Sequence, residues 1–304
     1  MHLSISTQDM IEWKNRLIDT IPHSLNTREH ISWAMNIAKD YLGDVNALKK
    51  QLILEEGYII LKGLPQDPAP SPTPSLIRDG FTIKNQISES VLLGVTEALG
   101  FHPFAYKEEK EGNLIHDITP EKGKENSISS NGVKAFPWHT DAAFLCRNIR
   151  PWTLSLYCLI NQAKTATHIA SVEKIIHQLT HDEIDVFMKR QFLHYPPETF
   201  PLLNEGTLAS VLDRIDGIYE MKFSSHNIKP LTPEATLAFN HLVDVIDRVS
   251  IKHQWKPGDM MIFNNLRCVH AREHIHGERW LQRCYGSLTI NTGDILQIKD
   301  NNAS

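Results

Sequence analysis

This 304-residue chain has no apolar run that approaches membrane-spanning length, which argues against an integral helical membrane protein. Cysteine is scarce. Cys146, Cys158, Cys268 and Cys284 stand far apart without the C-x-x-C spacing of a zinc or redox motif, so reduced, mostly buried thiols in a cytoplasmic protein are expected. The N-terminal stretch MHLSISTQDMIEWKNRL carries acidic residues and no basic segment leading into an apolar one, which argues against a secretory signal. Positive charge is also short. With 31 Lys and Arg against 36 Asp and Glu, a net charge of -5 and no basic stripe, nothing calls for nucleic acid or a membrane surface as partner. A 41% hydrophobic and 22% charged composition is that of an ordinary globular chain, here expected to form one domain over 1–304.

What the chain does have is histidine, 16 in all, and the segment around Trp255 to Ser287 organises the rest. Pro257, Gly258 and Asp259 predict a turn before a short apolar strand, Met260 to Phe263. His270 follows at a strand end, then a loop with Arg272, Glu273, His274 and His276, then a strand opening with Arg279 to Arg283 and running to Ile290. Adjacent antiparallel strands here would bring a histidine and two arginines together, ready for a cation beside an anion. A partner segment lies at Trp138-His139-Thr140-Asp141. Residues two apart on a strand point the same way, so His139 and Asp141 can face one point. With His270 they make two imidazoles and a carboxylate, a facial set suited to non-haem Fe(II) with coordination positions to spare. In so histidine-rich a chain, His181-Asp182-Glu183 and His276-Gly277-Glu278 compete as H-x-E pairs. The first sits behind Thr180 in an opening helical turn, where acidic residues suit the helix end, and is set aside.

The remaining elements follow from local pattern. Ser6 and Thr27 start two helices, a third is expected over Leu48–Leu54, and Tyr58 to Leu61 reads as a strand. Pro65 to Pro74 reads as an extended loop, Ser88 to Leu99 as a helix closed by Gly100, and Phe101 to Tyr106 as a strand. Lys107 to Asn131 is a polar loop whose end, Ser127 to Asn131, cannot lie far from His139. Trp152 to Ile160 suits a core strand, and Gln162 to Ser171 a polar connection containing Thr165 and Thr167. Leu208–Ile215 and Ile218–Phe223 suit strands around Asp216-Gly217. Thr232-Pro233 opens a helix to Val249, and the tail from Asp300 should fray.

Read in order, GNLIHDITP, SISSNG, WHTDAAF, the strand ending at Cys158, A-T-x-x-A-S, PGDMMIFNNLRCVHAR and RWLQR resemble the iron and 2-oxoglutarate dependent dioxygenases, in the taurine dioxygenase-like superfamily. The resemblance runs from about Leu92 to Ser287 and is greatest to the branch of clavaminate synthase and the asparagine and arginine oxygenases.

That resemblance implies a mainly β fold with peripheral helices, a double-stranded β-helix or jelly roll, with a helical part over about 1–100 and the jelly-roll core over about 101–290. His139, Asp141 and His270 match the iron ligands, Arg279 the clamp on the far carboxylate of 2-oxoglutarate, and Thr167 its helper, with Thr165 competing. Arg283 matches an arginine facing substrate and the oxoacid end. Implied cofactors are Fe(II), 2-oxoglutarate as cosubstrate, and O2. The implied reaction is hydroxylation of a free amino acid or similar small carboxylate, with release of succinate and CO2. Desaturation or cyclisation, and a carrier-bound, peptide or sulfonate substrate, stay open. Ser130, Asn131, Arg283 and Asp216 are the candidate substrate contacts, Asp216 for a cationic or amide side chain. Asp at 141, where the branch often has Glu, is compatible with iron and argues against halogenation, and a short His270 to Arg279 loop weakens transfer of substrate identity. A zinc hydrolase would leave the paired arginines of RWLQR without a role, and a pure binding barrel would need no metal triad.

Overall fold

The computed structural model describes residues 1–20, 22, 24–67, 86–197 and 206–298, in which seven α-helices and seventeen β-strands form. Most of the proline loop, Pro201 and the last residues fall outside the described residues. Helices begin where the capping residues stand. Ser6 accepts the Asp9 N–H ahead of Thr7–Asp19, Thr27 the His30 N–H ahead of Arg28–Lys39, and Thr232 the Ala235 N–H ahead of Pro233–Val249. Thr180 and Glu183 form a reciprocal capping box, so Glu183 is committed to the helix end and not to a metal. The third helix runs over Val45–Ile53, three residues earlier than its apolar pattern suggests, because Asp44 caps the Ala47 N–H.

Two sheets carry the site. The larger has eight strands. From one edge these are His2–Ser4, Tyr58–Lys62, Met260–Asn264, Thr153–Asn161, Arg279–Ser287, His102–Tyr106 and Ile295–Leu296, and Ile115–Ile118 pairs alongside Arg279–Ser287. The smaller runs Ile251–Gln254, Ala166–Ser171, Cys268–Arg272, Phe136–His139. Period-two alternation on Met260–Asn264 sorts the layers. Met260 and Ile262 join Trp13, Ile31, Leu52 and Val91 under the N-terminal helices, whereas Met261 and Phe263 join Leu154, Leu156, Ile169 and Leu281 between the sheets. On the far side, Leu242, Val245 and Ile246 of Pro233–Val249 pack against Ala170 and Val269. Among the described residues the two sheets face each other as separate units and do not close into a barrel, and the helices make the fold mixed α/β, not mainly β.

Three expectations change. The connection before Ser171 is the strand Ala166–Ser171, which pairs on both sides. The polar loop from Lys107 contains the strand Ile115–Ile118. Most consequentially, His270 lies on its own strand, Cys268–Arg272, in the smaller sheet, while Arg279 and Arg283 lie in the larger one. Facing sheets, not adjacent strands, bring the histidine and the arginines together.

Away from the site, His194 on Phe192–His194 is buried, and neither ring nitrogen makes a hydrogen bond of good geometry. Burial, aided by nearby Lys222 and Arg150, pushes its pKa down to about 4. An unfolded histidine takes a proton near 6.5, so between these values the unfolded chain binds more protons than the fold. The stability this group contributes is full above about 6.5 and is lost as pH falls toward about 4. His194→Leu should therefore flatten part of the decline, and urea midpoints at neutral and mildly acidic pH for variant and wild type check it. Equal declines in both proteins would remove His194 from the account.

Candidate active site

His139 ends Phe136–His139 and pairs in register with His270 on Cys268–Arg272, which sets the two imidazoles side by side with ring centroids 4.1 Å apart. His139 Nδ1 hydrogen-bonds the Pro137 carbonyl at 2.8 Å, which leaves Nε2 as the outward nitrogen. Asp141 follows past the strand end. Its Oδ1 lies 3.3 Å from His139 Nε2 and 3.7 Å from His270 Nε2. The three donor atoms all fall within 4.8 Å of one another, and among the described residues they form the one such group able to hold a metal ion. The second carboxylate oxygen is already committed. Asp141 Oδ2 accepts from Arg283 Nη1 at 2.8 Å and from the Tyr285 hydroxyl at 3.1 Å, so only Oδ1 is left for a cation. Burial opposes ionisation, but Arg283 and the two histidines hold Asp141 well below the usual carboxylate range.

Arg279 is 2% exposed, and its Nε and Nη1 have no hydrogen-bond partner. Burial, followed by repulsion from Arg272, pushes its pKa down to about 9. A buried cation with unmet donors is costly unless an anion joins it. It lines one cavity with all three metal donors, Thr167, Arg272, Arg283 and apolar walls of Ile118, Leu154, Leu156 and Leu281. Thr167 is the threonine turned inward, where its hydroxyl accepts from Trp255 Nε1 at 2.9 Å, whereas Thr165 hydrogen-bonds the His274 carbonyl and is not part of the cavity wall. Thr165 stands just before the strand Ala166–Ser171 and Thr167 within it, paired with His253 and Arg272 on either side, which separates the two.

Beside this cavity opens a larger one of about 530 Å3, bordered by His139, Asp141, Arg283, Glu109, Ser130, Tyr195, Ser224, His226 and Asn227, a size that suits a small ligand. Arg283 is central to both cavities and is itself heavily committed. Its Nη2 contacts Glu109 Oε1 at 2.5 Å and His116 Nδ1 at 2.7 Å, besides the bond to Asp141. Ser130 lines both cavities. Asn131 borders the larger one, with its side-chain amide donating to the carbonyls of Asp117 and Thr119. Asp216 is not brought to the site. It occupies the tip of the Leu212–Ile215 and Ile218–Met221 hairpin with φ of 50°, followed by Gly217 at 84°, and borders neither cavity. Sequence reasoning missed Glu109, Tyr285 and the placing of Arg272. Arg272 stands two residues beyond His270 on one strand, so period-two spacing could have found it, whereas nothing local marks Glu109.

Residues 37–285 match the family described as taurine catabolism dioxygenase TauD, TfdA family. The chain is 28% identical over 240 residues to L-asparagine oxygenase of Streptomyces coelicolor, covering 76% of this chain and 71% of that protein. It is 25% identical over 267 residues to clavaminate synthase 2 of Streptomyces clavuligerus, covering 76% and 74%. In three dimensions it superposes on the crystal structure of the non-heme iron oxygenase OrfP in complex with Fe, succinate and (3S)-hydroxy-L-Arg with a TM-score of 0.83, at 21% identity over 95% and 94% of the chains, so the mixed α/β fold is related to that of this oxygenase. The matched region contains both histidines, the aspartate and both arginines. The chain therefore belongs to the TauD/TfdA family and is a 2-oxoglutarate-dependent non-haem iron dioxygenase.

Proposed function

We propose that this enzyme hydroxylates a free α-amino acid whose side chain is neutral and hydrogen-bonding, releasing succinate and CO2. The observation that carries the reading is the pair Arg283 and Glu109, a cation and an anion 2.5 Å apart on the wall of the larger cavity next to the metal donors. The ammonium and carboxylate of an α-amino acid are the same pair with signs reversed, so the two zwitterions are complementary. His139, Asp141 and His270 would hold the Fe(II), and Arg279 with Thr167 the distal carboxylate of 2-oxoglutarate. When bound, iron with 2-oxoglutarate and O2 supplies oxidative decarboxylation and insertion of an oxygen atom into a C–H bond.

The chain's own residues do the positioning. Leu154, Leu156, Leu281 and Ile118 exclude water along the cosubstrate's methylenes, and Arg283 with Tyr285 keeps Asp141 to one free oxygen. Beyond Glu109 the larger cavity offers Ser127, Ser129, Tyr195, Ser224, His226 and Asn227, all uncharged polar groups, and His226 is held neutral by burial, its pKa down to about 4. Lys110 and Lys124 also line it and both pair with Glu121, while Glu108 accepts the Ile298 N–H. That wall suits an amide or hydroxyl better than a guanidinium or ammonium, and L-asparagine oxygenase is a relative whose name fits it.

The same reading takes the two facing sheets as the walls of a double-stranded β-helix, the chain over 1–304 as a single dioxygenase domain, and the setting as cytoplasmic. The support for the last is that all four cysteines are free. Among the described residues no helix is long and apolar enough to cross a membrane. A panel of free amino acids assayed for stimulated succinate formation tests the proposal. Neutral polar amino acids should stimulate most and lysine, ornithine and arginine least. Stimulation confined to basic amino acids, to non-carboxylates or to carrier-bound compounds would refute it.

A further inference from the structure

The peptide group of Asp141 lies just past the end of Phe136–His139, and the next residue, Ala142, has φ of 53°, so no strand partner serves it. Its hydrogen bonds come from one side chain. Asn265 Oδ1 accepts the Asp141 N–H at 2.7 Å, and Asn265 Nδ2 donates to the Asp141 carbonyl at 2.9 Å. The same Nδ2 donates to the Pro151 carbonyl at 3.2 Å, and the Asn265 N–H to the Trp152 carbonyl at 2.8 Å. Asn265 is fully buried. A carboxamide carries one acceptor and one donor side by side, which is what a residue's own N–H and C=O require. Aspartate offers no donor, and serine is too short to span both.

Asn265 also stands in the turn between Met260–Asn264 and Cys268–Arg272, five residues before His270. One buried side chain thus ties the backbone of the carboxylate donor to the root of the strand that carries the second histidine. We propose that Asn265 is a positioning residue for the metal set, fixing where the Asp141 carboxylate stands relative to His270. This rests on the reading of His139, Asp141 and His270 as the iron ligands. Groups that orient ligands in this way typically contribute about 10- to 100-fold in metal affinity.

Asn264 supplies the control. It is the last strand residue before that turn, also buried, and its amide holds the Leu52 carbonyl at 3.1 Å and the Leu266 N–H at 2.9 Å without touching Asp141. Anaerobic Fe(II) titration against a chelating dye, melting of the metal-free proteins, and the visible bands of the Co(II) forms should be compared for wild type, Asn265→Ala, Asn265→Ser and Asn264→Ala. Both Asn265 variants are expected to bind Fe(II) about 10- to 100-fold more weakly with altered Co(II) bands, and Asn264→Ala to keep wild-type affinity and bands even where it melts lower. Asn265 variants with wild-type affinity, or an equal loss in Asn264→Ala, would overturn the proposal. So would failure of both Asn265 variants to fold while Asn264→Ala folds, which assigns the residue to folding. A wild-type protein that binds no Fe(II) refutes the ligand reading itself, a separate result.

Discussion

Replacing either His139 or His270 with alanine is expected to reduce 2-oxoglutarate turnover to that of the metal-free protein while the fold persists. The geometry leaves no substitute donor. The second oxygen of Asp141 is taken by Arg283 and Tyr285, and among the described residues no other group of three donors converges. Losing one imidazole leaves one nitrogen and one oxygen, too few to hold Fe(II) against water. The structural cost is modest by comparison. His270 packs on Phe263 and His139 on Phe136, but both rings face a cavity. Iron per chain after anaerobic loading, together with succinate formed per minute, checks this. Retention of stoichiometric iron by both variants would move the metal site elsewhere.

The second large effect belongs to Arg279. Its Nε and Nη1 are buried without partners, and Arg272 in the same cavity adds repulsion, so the fold carries a buried cation with unmet donors, for which the distal carboxylate of the cosubstrate is the partner proposed above. Truncating one member of such a desolvated charge pair costs about 2–5 kcal/mol, or about thirtyfold to several thousandfold in the dissociation constant of 2-oxoglutarate. Thr167→Ala should cost far less, because that hydroxyl already accepts from Trp255. Arg279→Ala also removes a strained charge, so without 2-oxoglutarate it should melt no lower than wild type, and isothermal titration plus melting reads both effects. Unchanged cosubstrate affinity would place the clamp at another residue, Arg272 being the first to examine.

Local periodicity made much of this site readable. His139 with Asp141, and Arg279 with Arg283, are spaced by even numbers in strand-like segments, so each pair faces one side, and both pairs emerge at one cavity. Capping residues made the helix starts readable for the same reason, since a cap is a contact over three residues. What escaped depends on contacts across the chain. Asn265 and Asp141 are 124 residues apart, and Arg283 and Glu109 are 174 apart. The Ala166–Ser171 strand escaped because it is short and half polar, and only its two neighbours hold it extended. Asp216 seemed a substrate contact from its turn, yet a turn fixes local geometry and not where the hairpin points.

An enzyme of this kind splits O2 between cosubstrate and substrate at its metal site. Turnover under 18O2 in ordinary water, with the amino acid that most stimulates succinate formation, tests it directly by mass spectrometry of both products. One labelled oxygen is expected in succinate and one in the hydroxylated amino acid, formed in equal amounts. Unlabelled succinate, or a product formed without consuming O2, would contradict it.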